Sequence, residues 1–167
     1  IASRLMGYAS SKGRTRVVVV YPRTPVGQIG RSAIVKATSG TNVHIVGDGS
    51  FAFSQEGIVS AVPTIANTIK ESGATALMLP SDSTGALPLL AQLLPEKGVS
   101  PSVTKYIGLT RWDVPAQTLS LPGIQGGWFA LPDPTPVAQF NKRYSSAHGS
   151  TAHPLAGLAY DGIAAIG

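Results

Sequence analysis

A chain of 167 residues with 43% hydrophobic and only 13% charged side chains can close a core, which excludes a disordered segment. It has no cysteine, so disulfide scaffolds and thiolate chemistry are excluded, and no run approaches the roughly 20 apolar residues of a membrane span. The formal net charge of +5 comes from scattered Lys and Arg without interleaved aromatics, which argues against a nucleic-acid face and leaves a basic surface open to an anionic cell-wall polymer or lipid headgroup.

The sequence opens at Ile1 inside a helical pattern without an initiator Met, which predicts a fragment or a processed chain. Ile1 to Gly13 reads as a short helix, with Leu5, Met6 and Tyr8 on an apolar stripe. Arg16 to Tyr21 is strand one; its unbroken valines predict burial on both faces, as in a parallel sheet. Pro22 and Pro25 end it, and Gly27 lets the backbone come close to whatever lies beyond the strand's carboxyl end. Val26 to Ala37 has helical spacing. Thr41 to Val46 is strand two, with Gly47-Asp48-Gly49-Ser50 predicted to break it. After a loop over Phe51 to Glu56, the residues Ile58, Val59, Val62, Ile65 and Ile69 line a helix ending at Ser72-Gly73. Pro63 either kinks that helix or marks its first turn, with Ser60 as cap.

Ala74 to Leu79 is strand three, and Ser81 to Thr84 offer caps for a helix reaching Lys97-Gly98. Val103 to Leu109 is strand four, followed by an irregular stretch or single helical turn over Thr110 to Thr118. Gly126 to Leu131 is strand five, and Pro132-Asp133-Pro134 is a rigid crossing. Val137 to His148 and Leu155 to Ile166 are two further helices. The β-α alternation predicts an α/β fold: three α/β/α layers around a mostly parallel five-stranded sheet. The expected division places residues 1–131 in a ligand-binding lobe and 132–167 in helices beyond it.

Catalytic signatures are missing. There is no Gly-x-Ser-x-Gly elbow, no Gly-x-Gly-x-x-Gly and no Gly-Lys-Ser/Thr, so no cofactor is expected. His44, His148 and His153 lack the spacing and carboxylate company of a metal site, His44 reading as a satisfied mid-strand residue. No acidic pair is set up for proton transfer, and the chain reads as a non-enzyme. Binding is better supported. Loops after strands one, three and four should open on one sheet edge, where ligands bind in open α/β sheets. They carry Arg23, Thr24 and Val26; Ser81, Asp82, Ser83 and Thr84; and Thr110, Arg111, Trp112 and Asp113. Hydroxyls, a helix N-terminus and two guanidiniums would suit an anionic or hydrogen-bonding ligand, and Trp112 would stack on a ring or sugar. The same residues have plainer roles: Ser81 to Thr84 as a cap, Arg23 and Arg111 as solvated charges, Trp112 as core cover.

Tyr21-Pro22-Arg23-Thr24-Pro25-Val26-Gly27 resembles the strand and "P-x-T-x-Y-G" turn opening the second lobe of type I periplasmic binding proteins, the Leu/Ile/Val-binding group. Glu71 to Leu77, Tyr106-Ile107-Gly108-Leu109, Gly126 to Ala130, Phe140 with Tyr144, and Ala159-Tyr160-Asp161-Gly162 continue the pattern in order. Within that superfamily, Gly108-Leu109-Thr110-Arg111-Trp112-Asp113 and Gly127 to Pro134 look closest to the penicillin-binding-protein-activator lipoproteins. The resemblance implies two lobes around a ligand cleft. A first lobe would precede Ile1, and the helices after Pro134 would return to it. It also implies a periplasmic location with or without a lipid anchor. The expected partners are a small-molecule or cell-wall-derived ligand and a membrane-bound peptidoglycan synthase or, in the alternative, an ABC-type permease. Amino-acid-binding members place an aromatic where Val26 stands and often a carboxylate where Thr110 and Arg111 stand. That departure points away from an α-amino acid toward a carboxylate-rich or sugar-peptide ligand. A flavodoxin-type protein would need a phosphate-holding loop after strand one, and Pro22 to Gly27 makes a poor one.

Overall fold

Val17 to Val20 are all fully buried, because strand β1 (Arg16–Pro22) lies inside the sheet with helices on both faces. Each valine so buried contributes about 1.5 kcal/mol or more. The structure is a computed structural model describing residues 1–81, 85–131 and 133–157. The further strands are β2 (His44–Phe51), β3 (Ala76–Leu79), β4 (Lys105–Gly108) and β5 (Trp128–Phe129). All pairings are parallel, in the order β2-β1-β3-β4-β5. Helices α1 (Ala2–Ser11) and α2 (Pro25–Ala37) bury Leu5, Met6, Ala9, Ile34 and Ala37 against Val17, Val19 and Tyr21. On the other face, α3 (Gln55–Glu71) and α4 (Leu87–Glu96) bury Ile58, Val62, Ile65, Ile69, Leu87 and Leu90 against Val18, Val20, Leu77 and Leu79. The expected three-layer α/β/α arrangement is the one observed.

Contacts divide the chain into two units, Ile1–Ala130 and Leu131–Gly167. The second holds α5 (Pro134–His148), capped where the Asp133 carboxylate accepts from the Thr135 N–H at 2.8 Å and stopped by Gly149 at φ 64°. A glycine there meets no Cβ penalty. Most of the helix expected over Leu155 to Ile166 lies outside the described residues.

Several boundaries differ from expectation. Strand two does not break at Gly47; it runs through to Phe51. A Cβ on Gly47 would sit 2.9 Å from Thr68 Cγ2, and one on Gly49 2.9 Å from Ile65 Cγ1. These glycines therefore admit α3 close to the strand instead of turning the chain. Likewise α3 starts at Gln55, where the Ser54 hydroxyl accepts from the Gly57 N–H at 3.0 Å, so Ser60 is not its cap. Pro63 lies inside α3 on its solvent side, where water can serve the carbonyl that Pro leaves without a donor. Strands four and five are shorter than expected, and α4 begins at Leu87. His44 opens β2 and is exposed rather than mid-strand.

Candidate functional site

Parallel strands end on one side of a sheet, so the segments after β1, β3 and β4 share its carboxyl rim. At the end of β1, Thr24 is extended (φ −126°, ψ 161°) and caps α2, its hydroxyl oxygen accepting from the Gly27 N–H at 3.1 Å. Pro25 fits the first helical position, where no N–H is needed. The close approach that Gly27 permits is to the strand's own end, not to a ligand: a Cβ would fall 2.1 Å from the Pro22 carbonyl oxygen. Val26, on the first turn of α2, is 75% exposed, and Ile29 beside it is exposed too.

The loops after β3 and β4 are joined. The Leu109 N–H donates to the Leu79 carbonyl at 3.0 Å, and the Thr110 hydroxyl donates to the Ser81 carbonyl at 2.9 Å. α2 lies across them, since a Cβ on Gly30 would sit 2.8 Å from Pro80 Cβ and 3.7 Å from Leu109 Cδ2. The Ser81 hydroxyl is buried and has no partner among the described residues. Burying such a group unpaired is costly. Asp82, Ser83 and Thr84 lie outside the described residues.

Two of the expected rim residues are engaged elsewhere. Arg111 forms a two-point ion pair with Asp113, Nε to Oδ1 at 2.9 Å and Nη2 to Oδ2 at 2.5 Å. Its hydrogen bonds and charge hold the Asp113 carboxyl below the usual carboxylate range, and Asp113 raises the Arg111 guanidinium in turn. Trp112 is not a stacking platform on the rim. It is 1% exposed, its indole lying where a Cβ on Gly108 would come within 2.3 Å and one on Gly127 within 2.7 Å, with Phe129 tilted against it at 5.8 Å. Glycines on β4 and just before β5 clear the floor for that ring. Trp128 is partly buried and meets Tyr8 edge-on at 4.9 Å.

Arg23 leaves the rim for a lateral cleft of about 390 Å³ between β2 and α3. Asp48, Gly49 and Ser50 line it from the strand, and Gly57, Ser60, Ala61, Thr64, Ile65 and Thr68 line it from the helix. Sequence reasoning missed this cleft. Its signal was there: small residues at helical spacing beside the apolar stripe of α3. No group of three or more His, Cys, Asp or Glu among the described residues could hold a metal ion. No described helix is long and apolar enough to cross a membrane.

These features define an open parallel α/β lobe with a polar carboxyl rim. The family model described as periplasmic binding protein matches residues 1–167, and the chain belongs to that family. Solved structures of similar fold include a putative branched-chain amino acid ABC transporter protein from Rhodospirillum rubrum, at 19% identity and TM-score 0.71, covering 96% of this chain and 46% of that one. An ABC transporter substrate-binding protein from Desulfitobacterium hafniense in complex with Leu matches at 15% identity and TM-score 0.67, over 97% of this chain and 46% of that one. An ABC transporter solute-binding protein from Rhodopseudomonas palustris BisB5 in complex with 3,4-dihydroxybenzoic acid matches at 16% identity and TM-score 0.60, over 99% of this chain and 46% of that one. The chain thus spans about half the length of these structures. No curated protein sequence matches it.

Proposed function

We propose that the chain is one ligand-binding lobe of a two-lobed, non-enzymatic periplasmic receptor that delivers a small organic solute to an ABC-type permease. The observation that carries this reading is the joined rim: Thr110 bonds to the Ser81 carbonyl while the Ser81 hydroxyl stays buried without a partner. Thr24, Ser81 and Thr110 offer hydroxyls, and the exposed Val26 offers an apolar surface for the rest of the molecule. Asp82 and Ser83 belong to the same proposed site by their place in the chain. Because Asp113 already answers the Arg111 charge, hydrogen bonding rather than a lone cation would set the ligand's orientation. Relatives of this fold solved with Leu and with a dihydroxybenzoate support a small carboxylate as the ligand class.

The first expectation, regulation of a peptidoglycan synthase by a lipid-anchored protein, rests on the stretches around Trp112 and Trp128 and on the missing amino-acid signature at Val26, Thr110 and Arg111. Trp112 is a core ring and Trp128 is half-covered, so they speak for the shared fold rather than for a surface partner. A thermal-shift screen of amino acids, amides and aromatic carboxylates on the two-lobed protein tests the receptor reading. A ligand at about 100 times its dissociation constant should stabilise by roughly 2.7 kcal/mol. No shift with any of them at millimolar concentration would remove this reading.

A further inference from the structure

The lateral cleft lies away from the rim, and the strand that walls it is at the edge of the sheet. Among the described residues β2 pairs with β1 alone, so alternate main-chain groups along its outer side have no ladder partner there. Which ones follows from a single bond. The Phe51 carbonyl accepts from the Arg23 N–H, toward β1, at 2.8 Å. In a parallel strand, alternate residues turn their N–H and C=O to opposite sides. Ser50 and Asp48 therefore present theirs outward, and both line the cleft. Their side chains go to the other sheet face, where Asp48 pairs with Arg31 at 2.7 Å, so the strand offers the cleft main chain. No Pro or Lys blunts the edge over His44 to Phe51; a bulge at Val46 disrupts only its first part.

Across from it, α3 presents Gly57, Ser60, Ala61 and Thr64, side chains small enough to leave a channel. From Gly57 to Thr68 the helix runs about 16 Å at about 1.5 Å per residue, which matches about five residues of extended chain. At the Phe51 end stands Arg23, exposed and without a partner among the described residues. Asp48, the one acidic residue of the cleft wall, turns its carboxylate to Arg31 on the other face, which leaves Arg23 as the cleft's unanswered charge.

We propose that this flank docks an extended peptide segment with a free carboxyl terminus. The segment pairs with the outward main chain of Asp48 and Ser50 as an added strand, and its terminal carboxylate rests on Arg23. Main-chain pairing supplies the affinity in such a mode, and the guanidinium fixes the register.

The probe is the pentapeptide acetyl-Val-Thr-Val-Thr-Val, with its carboxyl terminus free or amidated, titrated into the isotope-labelled protein and followed by amide resonances. The free acid should shift the amides of Asp48 to Ser50 and of Ser60 to Thr68 and slow hydrogen exchange at Asp48 and Ser50. Amidation of the peptide and Arg23→Ala should each weaken binding by about tenfold or more, and combining them should cost no more than either alone. Ser50→Pro removes one outward donor at a position where an edge strand tolerates Pro, and should abolish docking. If that variant does not fold, N-methylation of alternate peptide amides on the unaltered protein makes the same test. Absence of saturable shifts at millimolar peptide would overturn the proposal. So would shifts confined to Thr24, Ser81 and Thr110, or glucuronate binding the cleft as tightly as the peptide.

Discussion

The two ends of the sheet use their polar residues in opposite ways. At the amino end several long polar side chains close loops. Arg14 Nη1 donates to the Val103 carbonyl at 2.9 Å, Arg16 Nη2 to Ser72 at 2.5 Å, and Lys105 Nζ to Gly126 at 2.8 Å. The Tyr106 hydroxyl, in a buried site that pushes its pKa well up, donates to the Val99 carbonyl at 2.8 Å. At the carboxyl end the Ser81 hydroxyl and the Arg23 guanidinium have no partner among the described residues, and Val26, Ile29 and Phe53 face outward. One end is finished by the chain itself and the other is left to be completed from outside. Function follows the second, and the stability of the fold rests more on the first.

Trp112 is the sharpest test of that division, because it comes from a carboxyl-end loop yet is buried as a core residue. Trp112→Ala should cost about 3–5 kcal/mol of stability in denaturant unfolding, the range for removing a large buried ring. A nearly unchanged midpoint would return the indole to the binding site. At the closed end, Tyr106→Phe leaves the Val99 carbonyl buried without its donor and should cost about 1–2 kcal/mol, read by the same titration.

The Arg111–Asp113 pair should act weakly and only above acid pH. Because the Asp113 carboxyl is held below its unfolded value, its contribution is present above the ordinary carboxylate range and is lost as pH falls through the folded pKa. Asp113→Asn should therefore narrow the stability gap between neutral and acid pH, by less than about 1 kcal/mol for so accessible a pair. A pH series of unfolding curves on both proteins measures it. Smallest in stability is Ser81→Ala, which should be neutral or slightly stabilising because an unpartnered buried hydroxyl is removed, while ligand affinity in the two-lobed protein falls. A clear loss of stability would show that Ser81 belongs with the closed end.

Much of this was legible in the residues. Local periodicity placed the five strands and the α-helices from α1 to α5 in the right order, and the all-valine run of β1 announced a sheet covered on both faces. Glycine was the ambiguous letter. Gly47 and Gly49 read as a turn because their local meaning is flexibility, whereas here they let α3 approach. Gly108 and Gly127 read as family pattern, and the structure gives the reason: an indole lies over them. Trp112 itself was read both as a platform and as core cover, and no local rule separates the two.

The sequence by itself determined the order of elements and the side on which the loops open, because hydrophobic spacing and the one-way sense of parallel connections are properties of short stretches. Only the tertiary structure decided which polar groups at that side are already partnered. Thr110 finds its acceptor 29 residues away at Ser81, and Asp48 its cation 17 residues away at Arg31. A hydrogen bond acts over about 3 Å, and which groups come within that distance is fixed only when the helices have packed.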